Sequence, residues 1–201
     1  MKKYEFTDET KDCCGCKLTR IRALIDFGNV KAGNLGGFIE KESNLSHDGN
    51  AWVYGDAGVY GDAEVSGDAE VSGDARVYGD ARVYGNAWVY GDAEVSGDAR
   101  VYGDAEVSGD ARVYGDAEVS GDADYICIKG LGRYNRNTTF FRTERGVSVV
   151  CGCFSGTLEE FEAKVVETHG NSIYAKEYLA AVEVVKIHFG IAETKNEEDG
   201  R

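Results

Sequence analysis

The sequence predicts a mainly β protein: a parallel β-helix of about five coils, preceded by an N-terminal β-hairpin cap and followed by a C-terminal βββαα module. Three observations carry that expectation. From Ala51 to Asp124 the chain repeats Ala, a variable residue, Val, Tyr or Ser, Gly and Asp, as in AWVYGD, AEVSGD and ARVYGD, with Val at every sixth position from Val53 to Val119. Outside residues 37–124 the period is lost and ordinary strand and helix patterns take over. The chain also has 42% apolar residues, 27 glycines and no proline, well outside the proline-rich, charge-swollen profile of a disordered chain. The implied organisation is a hairpin cap over 1–36, the repeat over 37–124, an α+β module over 125–190 and a flexible charged tail over 191–201.

Within each hexad Ala and Val lie two apart, so on an extended chain they share one face, and the variable residue and the Tyr or Ser share the other. Ala and Val therefore point into a core. Gly and Asp form the corner, where Gly accepts a positive φ and the Asp side chain bonds nearby backbone. Three hexads close an 18-residue coil. Upstream, Gly37-Phe38-Ile39 and Ser43-Asn44-Leu45 fit the same small, variable, aliphatic pattern, and a two-residue insertion around His47 precedes the regular run.

The outer positions follow a second rule. Glu before Val is followed by Ser, as in Glu64 and Ser66, whereas Arg, Trp or Gly there is followed by Tyr, as in Arg76 and Tyr78. Steps of 18 put Trp52 and Tyr54, Glu70 and Ser72, Trp88 and Tyr90, and Glu106 and Ser108 on one side. Aromatic residues beside small ones make interlocking surfaces, so Trp52, Tyr54, Trp88 and Tyr90 are the expected subunit interface.

At the ends, residues 2–6 and 17–25 are expected to pair as a hairpin over the first coil. YICIKGLG, TTFFRT and GVSVVCGCF each predict one strand. Thr157 and Glu160 make a capping box for a helix ending near Gly170, with Leu158, Phe161 and Val165 on one face. A second helix from about Ile173 to His188 is expected to bury Tyr174, Tyr178, Val182, Val185 and Phe189.

The small-x-aliphatic hexads resemble those of the bacterial hexapeptide transferases, and that resemblance implies a left-handed parallel β-helix and homotrimers. The lead-in RIRALIDFGNVKAGNLGGFIEKESNLS, the repeat, and TTFFRTERGVSVVCGCFSGTLEEFEAKVVETHG together resemble a group of hexapeptide-repeat proteins common in phages and prophages. Members of that group are often labelled hexapeptide transferases. The resemblance covers most of the chain and implies architecture rather than chemistry.

The formal charge of −14 is concentrated in residues 50–124, which carry −13. Direct nucleic-acid binding is thereby excluded, because counterion release needs clustered lysine and arginine. No apolar run approaches the ~18 residues of a membrane span, and the start MKKYEFTDET lacks the apolar stretch of a secretion signal. With six cysteines expected as thiols, the predicted location is a reducing cytoplasm, that of a bacterial host. The acidity also allows a DNA mimic, since −13 over four coils approaches the charge density of a duplex; the simpler alternative is that Asp is the preferred corner residue.

As an alternative, the resemblance to hexapeptide transferases implies acyl transfer from acyl-CoA with a histidine between neighbouring prisms as general base, yet residues 51–124 contain none. His47 precedes the regular coils, while His169 and His188 fall on the C-terminal helices and suit caps or core positions. Cys14-x-Cys16 and Cys151-x-Cys153 look like metal half-sites but lie at opposite ends of the coils; Cys127, Cys151, Cys153 and His169 could converge within the C-terminal module. Neither metal nor cofactor is expected, and the corner aspartates lack the nonapeptide calcium pattern.

One stretch is both basic and glycine-bearing: Lys129-Gly130-Leu131-Gly132-Arg133-Tyr134-Asn135-Arg136, followed by Arg142. Glycine amides and guanidinium forks suit phosphate oxygens, and Tyr134, Phe140 or Phe141 could stack a base. Lys129, Arg133, Tyr134, Arg136 and Arg142 are thus the expected site for an anionic, nucleotide-like ligand. The alternative is a hairpin turn whose arginines pair with the corner aspartates below. The sequence-level expectation is a non-enzymatic homotrimeric scaffold of phage type, binding such a ligand or a host protein, as a host-defence antagonist would.

Overall fold

A computed structural model describes residues 1–191. The charged tail expected over 191–201 lies outside the described residues apart from Ile191. Strands β1 (Tyr4–Cys13) and β2 (Cys16–Ala23) form a hairpin, and β3 (Leu35–Ile39) is the first solenoid strand. Twelve two-residue strands follow, from β4 (Trp52–Val53) to β15 (Glu118–Val119). Next come β16 (Tyr125–Leu131), β17 (Arg136–Thr143), β18 (Gly146–Cys151) and β19 (Phe154–Thr157), then helices α1 (Leu158–His169) and α2 (Ile173–Phe189). Among the described residues no helix is long and apolar enough to cross a membrane.

The hexads build a parallel β-solenoid of about five turns. Its three sides are the columns Ile39-Val59-Val77-Val95-Val113, Leu45-Val65-Val83-Val101-Val119 and Val53-Val71-Val89-Val107. In the regular region partners are 18 residues apart, whereas Ile39 to Val59 and Leu45 to Val65 span 20, which is the insertion around His47. Every hexad Ala and Val from Ala51 to Val119 is at most 1% exposed, so the core is the small-aliphatic pair repeated. Ladders such as Trp52 N to Ala69 O (3.0 Å) and Tyr54 N to Val71 O (2.7 Å) join each coil to the next. The corners require glycine twice over: Gly91 has φ +74°, and a Cβ there would lie 3.0 Å from the Gly109 amide one coil on.

Stacked corner aspartates repel one another, and the chain relieves this at defined places. Asn50 Nδ2 donates to Asp68 and Asn86 Nδ2 to Asp104, both at 2.8 Å, so the two Asn corners alternate with Asp in one column. At the ends of the other columns, cations from the caps take over: Arg20 reaches Asp56 at 3.4 Å, Lys41 pairs with Asp62 and Lys129 with Asp110. These lysines hold the Asp62 and Asp110 carboxyls below the ordinary range, chiefly through their direct hydrogen bonds.

The first N-terminal strand is longer than the sequence suggests, and the second begins one residue earlier and ends at Ala23. Cys14 and Gly15 both take positive φ (53° and 87°) and make a two-residue turn, so pairing runs out to Cys13 and Cys16. The hairpin continues the first solenoid sheet antiparallel to β3 and lays Tyr4, Ile21 and Ala23 over the open coil. Lys3 is also buried there, its ammonium donating to Ala51 O (2.9 Å) and Gly49 O (3.4 Å) beside the Phe27 ring.

Burial brings the Lys3 ammonium down to about 8, against the pull of Asp48 and Asp68 in the other direction. Between pH 8 and its ordinary 10.5 the unfolded chain holds a proton that the folded chain lacks, so stability rises with pH across that window. Tyr4, its phenol held high by burial, acts oppositely above pH 10. The urea midpoint is therefore expected to climb from pH 8 to about 10 and to be flatter in Lys3→Met; an equal slope in both proteins would reject the assignment.

At the other end the sheet of β16 to β19 lies between the last coil and the helix pair. Ala117 bridges to Thr143, Arg112 N donates to Thr139 Oγ1 (3.1 Å), and Phe141 and Val150 join the solenoid core. Phe140 and Val149, their neighbours in sequence, face the helices instead. GVSVVCGCF is two strands rather than one, and the module is ββββαα: Gly152, at φ +62°, turns the chain so that Cys151 pairs with Phe154. The Thr157/Glu160 capping box forms as expected.

Candidate ligand-binding site

The five basic-loop residues divide into anchors and pocket residues. Lys129 pairs with Asp110 and Arg142 with Asp124 (3.1 Å), so these two tie the C-terminal sheet to the solenoid. Arg142 also lies 5.2 Å from the Phe189 ring centroid. Of the two partners Asp110 is a corner aspartate, met by a lysine where the hairpin alternative names arginines, and Asp124 follows the last corner; neither Lys129 nor Arg142 lines the pocket described next. Arg133, Tyr134 and Arg136 sit at the β16–β17 turn, with both guanidinium carbons near the exposed Tyr134 ring, at 6.0 and 5.4 Å from its centroid.

These three residues line a cavity of about 280 Å³ between the sheet and α1/α2. Its floor is Phe154, Phe161, Val165 and Tyr178, and its rim adds Lys164, His169 and Cys153. The aromatic floor is ordered by edge contacts, Phe154 to Phe161 at 5.4 Å and Phe161 to Tyr178 at 5.6 Å, and the His169 ring stacks on Tyr178 at 5.7 Å. A hydrogen-bond chain fixes Tyr178: Thr138 Oγ1 donates to Cys151 Sγ, Cys151 to the Tyr178 hydroxyl, and Tyr178 to Leu131 O. Burial first, then Cys151, pushes the Tyr178 phenol up to about 12, so it remains a donor at neutral pH.

Two glycines bring the basic turn onto this floor. A Cβ on Gly132 would lie 2.4 Å from the Tyr178 hydroxyl, and one on Gly152 only 1.9 Å from Arg136 Nη1. The sequence pattern suggested that glycine amides were free for phosphate; the Gly132 amide instead donates to Glu177 (3.0 Å). Its glycine serves close approach, and the anion chemistry falls to side chains.

The charge of the wall is the informative feature. The chain has 36 acidic residues, yet among the described residues none lines this cavity. Arg133 and Arg136 have no carboxylate within 4.0 Å among the described residues, and Lys164 meets only Glu167, an exposed neighbour on the same helix at 2.8 Å. Across Arg136, a second cleft of about 350 Å³ shows the contrast, being lined by Asp92, Glu94 and Asp110 as well as Arg76 and Arg112.

Lys164 and the aromatic floor were not foreseen as site residues, and His169 was expected only as a cap or core residue or in a Cys/His cluster. Phe161, Val165 and Thr168 recur at helical spacing with Lys164 among them, a stripe that names α1's inner face but not what faces it. The other histidines have structural partners. His47 stacks on Tyr4 (4.4 Å), accepts from the Lys3 amide and meets Glu42, while His188 contacts Ala123 O at 3.0 Å. Cys127 packs on the solenoid side of the sheet and Cys151 on the helix side, so the conceivable Cys/His cluster does not assemble. Among the described residues no group of three or more His, Cys, Asp or Glu is placed to hold a metal.

The four aromatics expected at an interface also separate. Trp52 is 0% exposed, enclosed by its own cap, which corrects its expected place at a subunit surface. Trp88 is 47% exposed, and Tyr54 and Tyr90 reach towards Glu70 (3.5 Å) and Glu106 (3.3 Å) on the same side.

A family model described as the YdcK beta solenoid repeat matches residues 75–91. Over 62 residues the chain is 37% identical to an Escherichia coli (strain K12) protein named "Uncharacterized acetyltransferase YdcK". That match covers 27% of this chain and 19% of the relative, so the chain spans about a fifth of the relative's length.

Proposed function

We propose that this β-solenoid protein is a non-enzymatic, trimeric scaffold whose C-terminal module holds a small nucleotide-like anion. The observation that carries the reading is the cavity of Arg133, Arg136 and Lys164 over an aromatic floor, lined by no carboxylate among the described residues, in a chain of formal charge −14. A cationic pocket in so acidic a protein concentrates anions against the field of the remainder, which a merely solvated surface has no reason to do.

Self-association is supported by unlike neighbouring sides of the solenoid. One side presents Glu70, exposed Trp88 and Glu106 in register. Another presents Glu64, Arg82, Arg100 and Glu118, with Arg82 directly beside Arg100 and a Tyr84–Tyr102 stack at 5.2 Å. Unlike surfaces that meet heterologously close into a ring when the rotation allows, and a three-sided rod suits three copies. Native mass spectrometry of protein from expressing cells is expected to give three chains with a retained small molecule. A bare monomer would refute the scaffold reading.

The relative's printed name offers acyl transfer as the second reading. The match falls far short of either whole chain, and the regular hexads of 51–124 contain no histidine; His169 is the one histidine that lines the pocket. Acetyl-CoA turnover lost in His169→Ala would reverse the proposal.

A further inference from the structure

Resting on that ligand-binding reading, the class of ligand can be narrowed. We infer that the cavity takes one ring system bearing one terminal phosphate, a ligand of nucleoside-monophosphate size, with the phosphate at Arg133, Arg136 and Lys164 and the ring over Phe154, Phe161 and Tyr178.

Size comes first. At about 280 Å³ the cavity lies at the lower edge of the ~300–1,000 Å³ typical of small-molecule pockets, too small to enclose a dinucleotide or coenzyme A. The lining has two zones, cations at the rim and aromatic rings below, so a ligand that satisfies both is anionic at one end and flat and apolar at the other. Guanidinium forks match phosphate oxygens in pairs, and a ring on an aromatic floor gains stacking that is tolerant of base identity.

Charge balance separates a monophosphate from a metal-bound triphosphate. Magnesium nucleotides use carboxylates to hold the ion, and among the described residues this wall has none. Three cations suit the roughly two negative charges of a phosphomonoester directly. Binding is therefore independent of magnesium. In the cleft on the far side of Arg136, Arg76 and Arg112 already meet Glu94 at 3.6 and 3.8 Å, beside Asp92 and Asp110, so the extra phosphates of a longer chain gain no free cation there.

The position of Arg136 is built into the backbone, because its guanidinium crosses Gly152 where any Cβ would collide. This allows charge and placement to be tested apart. Arg133→Gln with Arg136→Gln removes the charge, whereas Gly152→Ala retains every charge and displaces Arg136.

The experiment is calorimetric titration of the full chain, with EDTA present, against the four ribonucleoside 5′-monophosphates, the matching nucleosides, inorganic phosphate, NAD and coenzyme A. At least one monophosphate is expected to bind once per chain, with its nucleoside and inorganic phosphate each at least tenfold weaker. The double Arg variant should lose at least a hundredfold in affinity and Gly152→Ala at least tenfold, with thermal unfolding of each variant monitored alongside. Equal binding of nucleoside and monophosphate, or binding indifferent to the Arg pair, overturns the inference. NAD or coenzyme A binding that depends on the Arg pair, with no monophosphate bound, overturns the class of ligand and leaves the ligand-binding reading standing. No binding of any probe overturns both.

Discussion

Trp52→Ala is expected to destabilise the protein by about 3–5 kcal/mol, the usual cost of emptying a large aromatic site in a packed core. Trp52 is wholly buried, edge-on to Phe27 at 5.3 Å and near Tyr4 at 6.2 Å, and Gly36 has no Cβ because the indole occupies that space. The loss should fall first on the hairpin. Hydrogen exchange is expected to accelerate across β1 and β2, and the uncovered coil end, with unpaired ladder groups, should promote association. Trp88→Ala is the control, because the same hexapeptide AWVYGD spans 51–56 and 87–92, both times after Asn. With Trp88 47% exposed, its removal should cost about 0.5 kcal/mol or less in chain stability. Equal thermal shifts for the two variants would show that the cap does not bear on Trp52.

The second large effect concerns the length of the repeat. Deleting residues 75–92 removes one 18-residue coil and leaves each remaining column in phase, since partners are 18 apart. Such a protein should fold cooperatively with both caps in place, shorter by about 4.8 Å. Deleting Trp88 alone is expected to be far worse. Ala87 and Val89 would become adjacent and could not both face inwards, so one valine's burial, ~1.5–3 kcal/mol, is lost and ladder groups worth ~1–3 kcal/mol each are left unpaired. Circular dichroism melts decide it: a native-like midpoint for the single-residue deletion beside an unfolded coil deletion would contradict the registered solenoid.

The fold was legible because its signal is periodic and redundant. Ala and Val two apart, with Gly and Asp between strands, say the same thing in successive hexads, and even the insertion near His47 appears in the structure as a change from 18 to 20 residues between partners. The capping box at Thr157 and Glu160 was equally readable, since its geometry is local to four residues. The extent of the first hairpin and the division of GVSVVCGCF were not, because each depends on positive φ at a single turn, Cys14-Gly15 or Gly152, inside an otherwise strand-like run.

The candidate site was half legible for a related reason. A run of cations and glycines announces anion chemistry, yet sequence assigns all five residues of the loop to one role. Their division depends on what the fold brings opposite them. Lys129 meets the corner Asp110 and Arg142 meets Asp124 just after the last corner, while Arg133 and Arg136 extend past the sheet to a helix that follows in the chain.

By itself, then, the sequence determined the solenoid, its inward and outward residues and the acidity of its corners, because these follow from spacing along the chain. Tertiary structure alone decided that one of two identical AWVYGD hexads is core and the other surface, and that a cationic cavity with an aromatic floor forms under α1 and α2. Both depend on which distant segment covers a given coil or strand, and burial is a property of that pairing rather than of the residues' order.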